Sequence, residues 1–298
     1  MEYSLLGKSD LQISRIGMGT MSLEPENPLT EDLILQALDL GINYFDTADL
    51  YLKGLNETML GHAFRGKRKR LVLATKVGNR WRADGSGWDW VPTKEYILAA
   101  VEESLKRLQT DYIDLYQLHG GTLADPVDDI IEAFEMLQTA GKIRYYGISS
   151  IRPNVIREYV KRSSIVSVMM QYSLLDRRPE EEMLHFLHER GVGVLARGVL
   201  AKGLLVSKPA EPYLNYSAEE VLAVAQTVKK ISNNDRSAES VAIHYVLDHS
   251  AISSAVIGIR TVEQLKKAID SVEAEPLSEF KVKTLSQSMP VNYYELNR

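Results

Sequence analysis

The strongest constraint on this chain is an alternation of eight short, nearly continuous apolar runs with longer amphipathic segments. The runs fall at 16–21, 44–48, 71–76, 114–119, 144–149, 166–172, 192–197 and 255–258. Apolar character sustained over so few residues marks strands buried on both faces. Segments 30–41, 93–108, 125–140, 152–161, 179–190 and 261–272 carry helical punctuation. Thr30 is the expected N-cap of the first, with Glu31 and Asp32 behind it and Gly41 as its stop. Pro126 and Pro153 open two others, and Gly141 and Gly191 close two. Ile97, Val101, Leu105 and Leu108 recur at helical spacing. Eight strand–helix units predict an α/β fold, a (β/α)8 TIM barrel, with residues 1–298 as one domain. Segment 5–13, centred on Gly7-Lys8-Ser9-Asp10, predicts an N-terminal hairpin closing the barrel floor. Segment 198–254 is too long for one crossover. It predicts a functional loop over about 198–216 and extra helices over 217–233 and 237–248, and a last helix is expected over 277–288. An open doubly wound sheet is the alternative, but no glycine fingerprint supports it.

Composition narrows the function. The chain carries 35 Lys+Arg against 40 Asp+Glu, a net charge of −5, and no cysteine. That balance argues against a nucleic-acid partner. Absence of cysteine excludes disulfides, thiolate metal sites and cysteine nucleophiles. No apolar stretch reaches the roughly 18 residues of a membrane span. The first residues lack the basic-then-apolar pattern of a targeting segment. The expectation is a cytoplasmic protein with no membrane partner; the oligomeric state is not readable.

Three motifs fail on inspection. Residues 61–67 match a phosphate-binding loop as far as Lys67, but Arg68 stands where a metal-binding Ser or Thr belongs. A basic surface turn is the better reading. Gly17-Met18-Gly19 is half a dinucleotide fingerprint, with Ser22 at the third glycine position; close backbone approach on the first strand is the better reading. His185 and His188, near Glu182 and Glu189, read as a solvated helix face before they read as a metal site.

In a barrel, chemistry gathers where strands end at their carboxyl side. Those ends hold Asp46 and Tyr51, Lys76, His119, Ser149 and Ser150, and Gln171 and Tyr172. Taken singly, each has a structural reading. Together, an Asp, a Lys, a Tyr and a His converge on one rim. A carboxylate beside an ammonium keeps both charged. An ammonium beside a phenol favours phenolate and lowers the tyrosine from its usual value near 10. Such a tyrosine donates a proton near neutral pH, while a neighbouring imidazole steadies a developing alkoxide.

GINYFDTADLY (41–51), LVLATKVG (71–78), DYIDLYQLH (111–119), GKIRYYGISS (141–150) and MMQYSLLDR (169–177) occur in this order along the chain. The set resembles successive signatures of the aldo-keto reductases. The arrangement between strands and the segment GIRTVEQL resemble the bacterial branch related to potassium-channel β-subunits. The resemblance implies an NADPH-dependent reductase of aldehydes or ketones acting on a small-molecule carbonyl substrate, with no metal. It implies catalytic roles for Tyr51 as general acid, Lys76 as its tuner, Asp46 as the partner of Lys76, and His119 as the group that orients the carbonyl. It implies cofactor contacts at Thr20, Ser149, Ser150, Gln171, Arg197, Lys202, Gly258, Arg260 and Gln264. Of these, Ser149 and Gln171 would meet the nicotinamide carboxamide, and Arg260 the 2′-phosphate. A guanidinium fork near a helix N-terminus suits a dianion.

The chain departs from the family pattern in three places. Arg197 stands where an aromatic commonly covers the nicotinamide, Ala268 where an Asn commonly meets adenine, and Gly120-Gly121 where Trp-Pro is common. Loop 198–216 is expected to close over the cofactor, with Lys202 at the pyrophosphate and Tyr213 as aromatic cover. Trp81, Trp88, Trp90 and Tyr213 are the candidate substrate-pocket residues. The competing functions are a cofactor-sensing regulatory subunit and a metal-dependent barrel hydrolase. The second lacks a His-x-His or carboxylate cluster at the end of the first strand.

Overall fold

A computed structural model describes all of residues 1–298. The chain opens with an antiparallel hairpin of β1 (Tyr3–Leu5) and β2 (Gln12–Ser14). There follow β3 (Ile16–Gly19), α1 (Leu29–Asp39), β4 (Tyr44–Asp46), α2 (Leu55–Ala63) and β5 (Val72–Val77). A second small hairpin, β6 (Asn79–Trp81) with β7 (Trp88–Trp90), precedes α3 (Lys94–Leu108). The chain continues through β8 (Ile113–Leu118), α4 (Val127–Thr139), β9 (Ile143–Ser149), α5 (Pro153–Arg162), β10 (Ser167–Gln171), α6 (Met183–Glu189) and β11 (Gly193–Arg197). It ends with α7 (Ala218–Ile231), α8 (Ala238–Leu247), β12 (Ile252–Gly258), α9 (Val262–Glu273) and α10 (Glu279–Ser286). No helix is long and apolar enough to cross a membrane.

Strands β3, β4, β5, β8, β9, β10, β11 and β12 close into one parallel barrel, sealed where β12 pairs with β3. This is the (β/α)8 barrel with an N-terminal hairpin and extra helices that the alternation predicts. Inside it, Tyr44, Val72, Ala74, Leu115, Val166, Met169, Leu195 and Val256 form one apolar cluster with Leu6, Leu11 and Ile13 of the hairpin. The hairpin turn is therefore a plug, and Leu6 and Leu11 fill the floor that open strands would expose. A larger cluster packs the outer faces of the strands against the helices.

The structure corrects several sequence expectations. Thr30 does not cap α1: the helix begins at Leu29 behind Pro28, and the Thr30 hydroxyl donates to the Glu24 carbonyl at 2.9 Å. Strand β12 begins at Ile252, before the expected 255. Its polar start hid it, because Ser253 and Ser254 spend their hydroxyls on the Leu5 and Ser14 carbonyls at 3.1 and 2.8 Å. Helix α2 has no clean apolar stripe, since Asn56 and Glu57 are fully buried within it. Gly61, the start of the phosphate-loop look-alike, lies inside α2 against α3. A Cβ there would stand 2.3 Å from the Arg107 carbonyl oxygen. His185 is exposed and pairs with Glu189 at 3.1 Å.

Candidate active site

Strand β4 delivers Asp46 and β5 delivers Lys76 to the same end of the barrel, where the two are almost completely buried. Lys76 Nζ lies 2.5 Å from Asp46 Oδ2 and donates to the Thr47 carbonyl at 2.8 Å. Its third contact is the Tyr51 hydroxyl at 3.3 Å. An ammonium has three donors, so these partners exhaust it. Burial works against the Lys76 charge, but Asp46 and Tyr51 outweigh it and hold the ammonium above the ordinary lysine value. Burial raises the Asp46 carboxyl above its usual range, although Lys76 and Gln117 pull it down. Gln117 Nε2, one layer below the end of β8, donates to Asp46 Oδ1 at 3.1 Å.

His119 follows β8 and meets Tyr51 edge to face, with ring centroids 5.9 Å apart. Burial, with Lys76 and Arg197 adding like charge, pulls its imidazole down to about 3. It is neutral at neutral pH. Nδ1 is buried without a partner, which leaves Nε2 as the nitrogen facing the cavity. Asn79 Nδ2 donates to the His119 carbonyl at 3.2 Å and fixes the backbone there.

Tyr51 sits on a tight turn. Leu52, Lys53 and Gly54 after it have φ of 50°, 55° and 86°, three left-handed residues in a row. Beneath the turn, Arg107 Nε donates to Glu57 Oε2 at 2.7 Å, and Thr75 donates to Glu57 Oε1 at 2.6 Å. Asp49 lies in the same layer with Oδ1 unpartnered. Burial, with Glu57 beside it, pushes the Asp49 carboxyl up to about 8.

A cavity of about 1540 Å³ opens over these groups. Asp46, Tyr51, Lys76 and His119 border its inner end. Thr20, Ser149, Ser150, Gln171, Arg197, Lys202, Gly258, Arg260 and Gln264 all border it too. Some of these are already engaged. The Thr20 hydroxyl lies 2.9 Å from the Asp46 carbonyl oxygen and 2.5 Å from Asn56 Oδ1, two acceptors for its single proton. The Ser150 hydroxyl accepts from the Arg152 amide. Arg197 donates to Gln171 Oε1 at 3.1 Å, and Gln171 Nε2 donates to the Tyr213 hydroxyl at 2.9 Å. Gln264 Oε1 accepts from the Arg260 amide at 2.8 Å, and Thr261 caps α9.

Trp81, Trp88 and Tyr213 border the cavity; Trp90 does not. The Trp90 indole packs on Gly78 and Gly120 and donates to Asp125 at 3.0 Å. The two glycines after His119 thus make room for a tryptophan arriving from outside the cavity. Gln117, at the end of the fourth apolar run, drew no role from the sequence, and Asn56 was missed; the two brace Asp46, Thr20 and Thr47. Sequence reasoning also missed the C-terminal tail, where Asn292 to Asn297 border the cavity. That tail carries no periodic signal. It is held by Asn292 Oδ1 accepting from the Arg177 amide and by the Asn297 carbonyl accepting from the Asn154 amide.

The fold and site define a parallel (β/α)8 barrel with a phenol, an ammonium and an imidazole at the inner end of a cavity bordered by Arg197, Lys202 and Arg260. Comparison with known proteins agrees. The Aldo/keto reductase family profile matches residues 15–289, and the chain belongs to that family. It is 48% identical, over the whole of both chains, to "Uncharacterized oxidoreductase YqkF" of Bacillus subtilis. The holo form of aldo-keto reductase AKR11C1 from Bacillus halodurans is 48% identical, superposes with a TM-score of 0.94, and covers 100% of this chain and 99% of its own. The NADH-specific methylglyoxal reductase of Escherichia coli is 27% identical over 89% of this chain and 91% of its own. The chain is thus an NAD(P)H-dependent oxidoreductase of carbonyl compounds.

Proposed function

We propose that the protein reduces aldehydes or ketones to alcohols with NADPH, using Tyr51 as the proton donor. The observation that carries this reading is Lys76 Nζ held between Asp46 Oδ2 and the Tyr51 hydroxyl. When bound, the reduced nicotinamide supplies a hydride equivalent to the carbonyl carbon. The side chains manage the proton. Asp46 and Gln117 fix Lys76, and Lys76 steadies negative charge on the Tyr51 oxygen as its proton leaves for the carbonyl oxygen. His119, neutral at neutral pH, is too weak an acid to be that donor. With Nδ1 unpaired, its proton belongs on Nε2, from which it donates a hydrogen bond to the carbonyl oxygen.

The cavity walls fit the cofactor. Ser149, Ser150 and Gln171 offer donors and acceptors to a carboxamide, with Thr20 bracing the floor. Lys202 suits a pyrophosphate, and Arg260 suits a 2′-phosphate at the N-terminus of α9, with Gly258 and Gln264 beside the adenosine. Loop 198–216 covers the cofactor, with either Tyr213 or Arg197 over the nicotinamide, the pyrophosphate being the other role open to Arg197, and the whole of 1–298 acts as one unit. Membership of the branch related to potassium-channel β-subunits rests on the arrangement between strands and on the segment from Gly258 to Leu265, and would favour a cofactor-sensing regulatory role.

Nicotinamide absorbance with NADPH and 4-nitrobenzaldehyde separates the readings. Turnover lost in Tyr51→Phe supports reduction. Cofactor binding without turnover on any aldehyde supports the regulatory role. Arg260→Ala should weaken NADPH about tenfold or more and barely change NADH; equal losses would remove the 2′-phosphate assignment.

A further inference from the structure

Leu52 sits where a leucine is costly. Its φ of 50° and ψ of 39° lie in the left-handed region, and Lys53 repeats them at 55° and 39°. Non-glycine residues held there are strained and persist only where their surroundings hold them. Glycine would avoid the penalty, and asparagine would reduce it. Packing does not repay the cost, because Leu52 remains 47% exposed. The surrounding contacts hold the turn instead. Trp81 Nε1 donates to the Leu50 carbonyl at 3.0 Å. Lys53 Nζ lies 5.1 Å over the Trp81 ring. The Arg107 side chain lies against Gly54 and leaves no room for a Cβ. Leu50 and Lys53, which bracket Tyr51 and Leu52, are therefore both tied to Trp81.

The surroundings say what the side chain is for. Leu52, Trp81 and Trp88 border the same cavity, and the two indoles meet edge to face with ring centroids 5.4 Å apart. Trp88 is itself half exposed. An apolar group in strained backbone, beside the proposed proton donor and open to the cavity, is accounted for by contact with an apolar part of a ligand.

We propose that Leu52 is a specificity-determining residue. With Trp81 and Trp88 it forms an apolar wall for the tail of an aldehyde, favouring medium-chain alkyl over small or polyhydroxylated substrates. This rests on the carbonyl-reducing reading above, so the test includes a readout that needs no turnover.

The variants are Leu52→Gly and Leu52→Asn, both compatible with left-handed backbone, with thermal unfolding as the check on folding. The first readout is the ratio of kcat/KM for nonanal to that for propanal. The second is the affinity of 1-nonanol in the presence of NADP+, read by tryptophan fluorescence. In both variants the ratio should fall about fivefold through KM, and nonanol should bind about fivefold more weakly. Folded variants with the wild-type ratio and wild-type nonanol affinity would overturn the proposal. So would an equal loss of kcat on both aldehydes, which would mean that Leu52 only stiffens Tyr51. If the wild type reduces neither aldehyde but nonanol binding still weakens in the variants, the apolar wall stands and the carbonyl-reducing reading fails.

Discussion

At the residue scale, the site is a stack of charges balanced over a short depth. Lys76 is matched by Asp46, and Arg107 by Glu57. Asp49 has no such match, and its carboxyl is pushed up to about 8 by burial and by Glu57. The unfolded value is near 3.9, so between there and about 8 the folded chain holds a proton that the unfolded chain has released. Its contribution to stability is complete below about 4 and is lost as pH rises through about 8. Asp49→Asn should therefore lose less of its urea midpoint between pH 6 and pH 9 than the wild type. Parallel losses in the two proteins would show that Asp49 is ionised at neutral pH. The four proposed catalytic side chains stand out in the sequence because Asp46, Lys76 and His119 lie at the ends of apolar runs and Tyr51 lies shortly beyond one. Gln117 and Asn56 do not, because a buried amide bracing a carboxylate looks in sequence like any polar residue.

At the element scale, the barrel strands were legible because burial on both faces leaves an unbroken apolar run. Two of the failures share a cause: polar residues inside buried elements. Ser253 and Ser254 disguised the start of β12, and Asn56 and Glu57 disguised α2. Hairpin β6–β7 carries no readable strand signal because each strand has only three residues. The N-terminal hairpin matters more than its length suggests. Leu11 is 2% exposed and belongs to the barrel-interior cluster. Leu11→Ala should cost about 2–5 kcal/mol by leaving a cavity under the barrel. Urea unfolding measures this, and a loss below about 1 kcal/mol would mean that the floor collapses to fill the gap.

At the scale of the whole molecule, the proposed cofactor contacts run from Thr20 near the start of the chain to Gln264 near its end. A ligand that bridges such distant segments stabilises the folded state by mass action. At about 100 times Kd this adds about 2.7 kcal/mol, or roughly 5 °C in Tm for a chain of this size. NADPH should produce that shift, and raising NaCl should shrink it, since Lys202 and Arg260 are exposed and screened by salt. A shift insensitive to salt would move the binding energy from the phosphates to the rings.

The seam between β12 and β3 joins Ala255 to Ile16, almost the full length of the chain apart. During synthesis the barrel therefore stays an open ribbon until the last strand leaves the ribosome. Until then β3 and β11 present bare edges to other chains. A product truncated before residue 252 would carry the four proposed catalytic side chains on seven of the eight barrel strands, with both edges open, and would lack the proposed cofactor contacts at Gly258, Arg260 and Gln264. On the proposed reading, the cofactor site is completed only by the final strand and the residues that follow it.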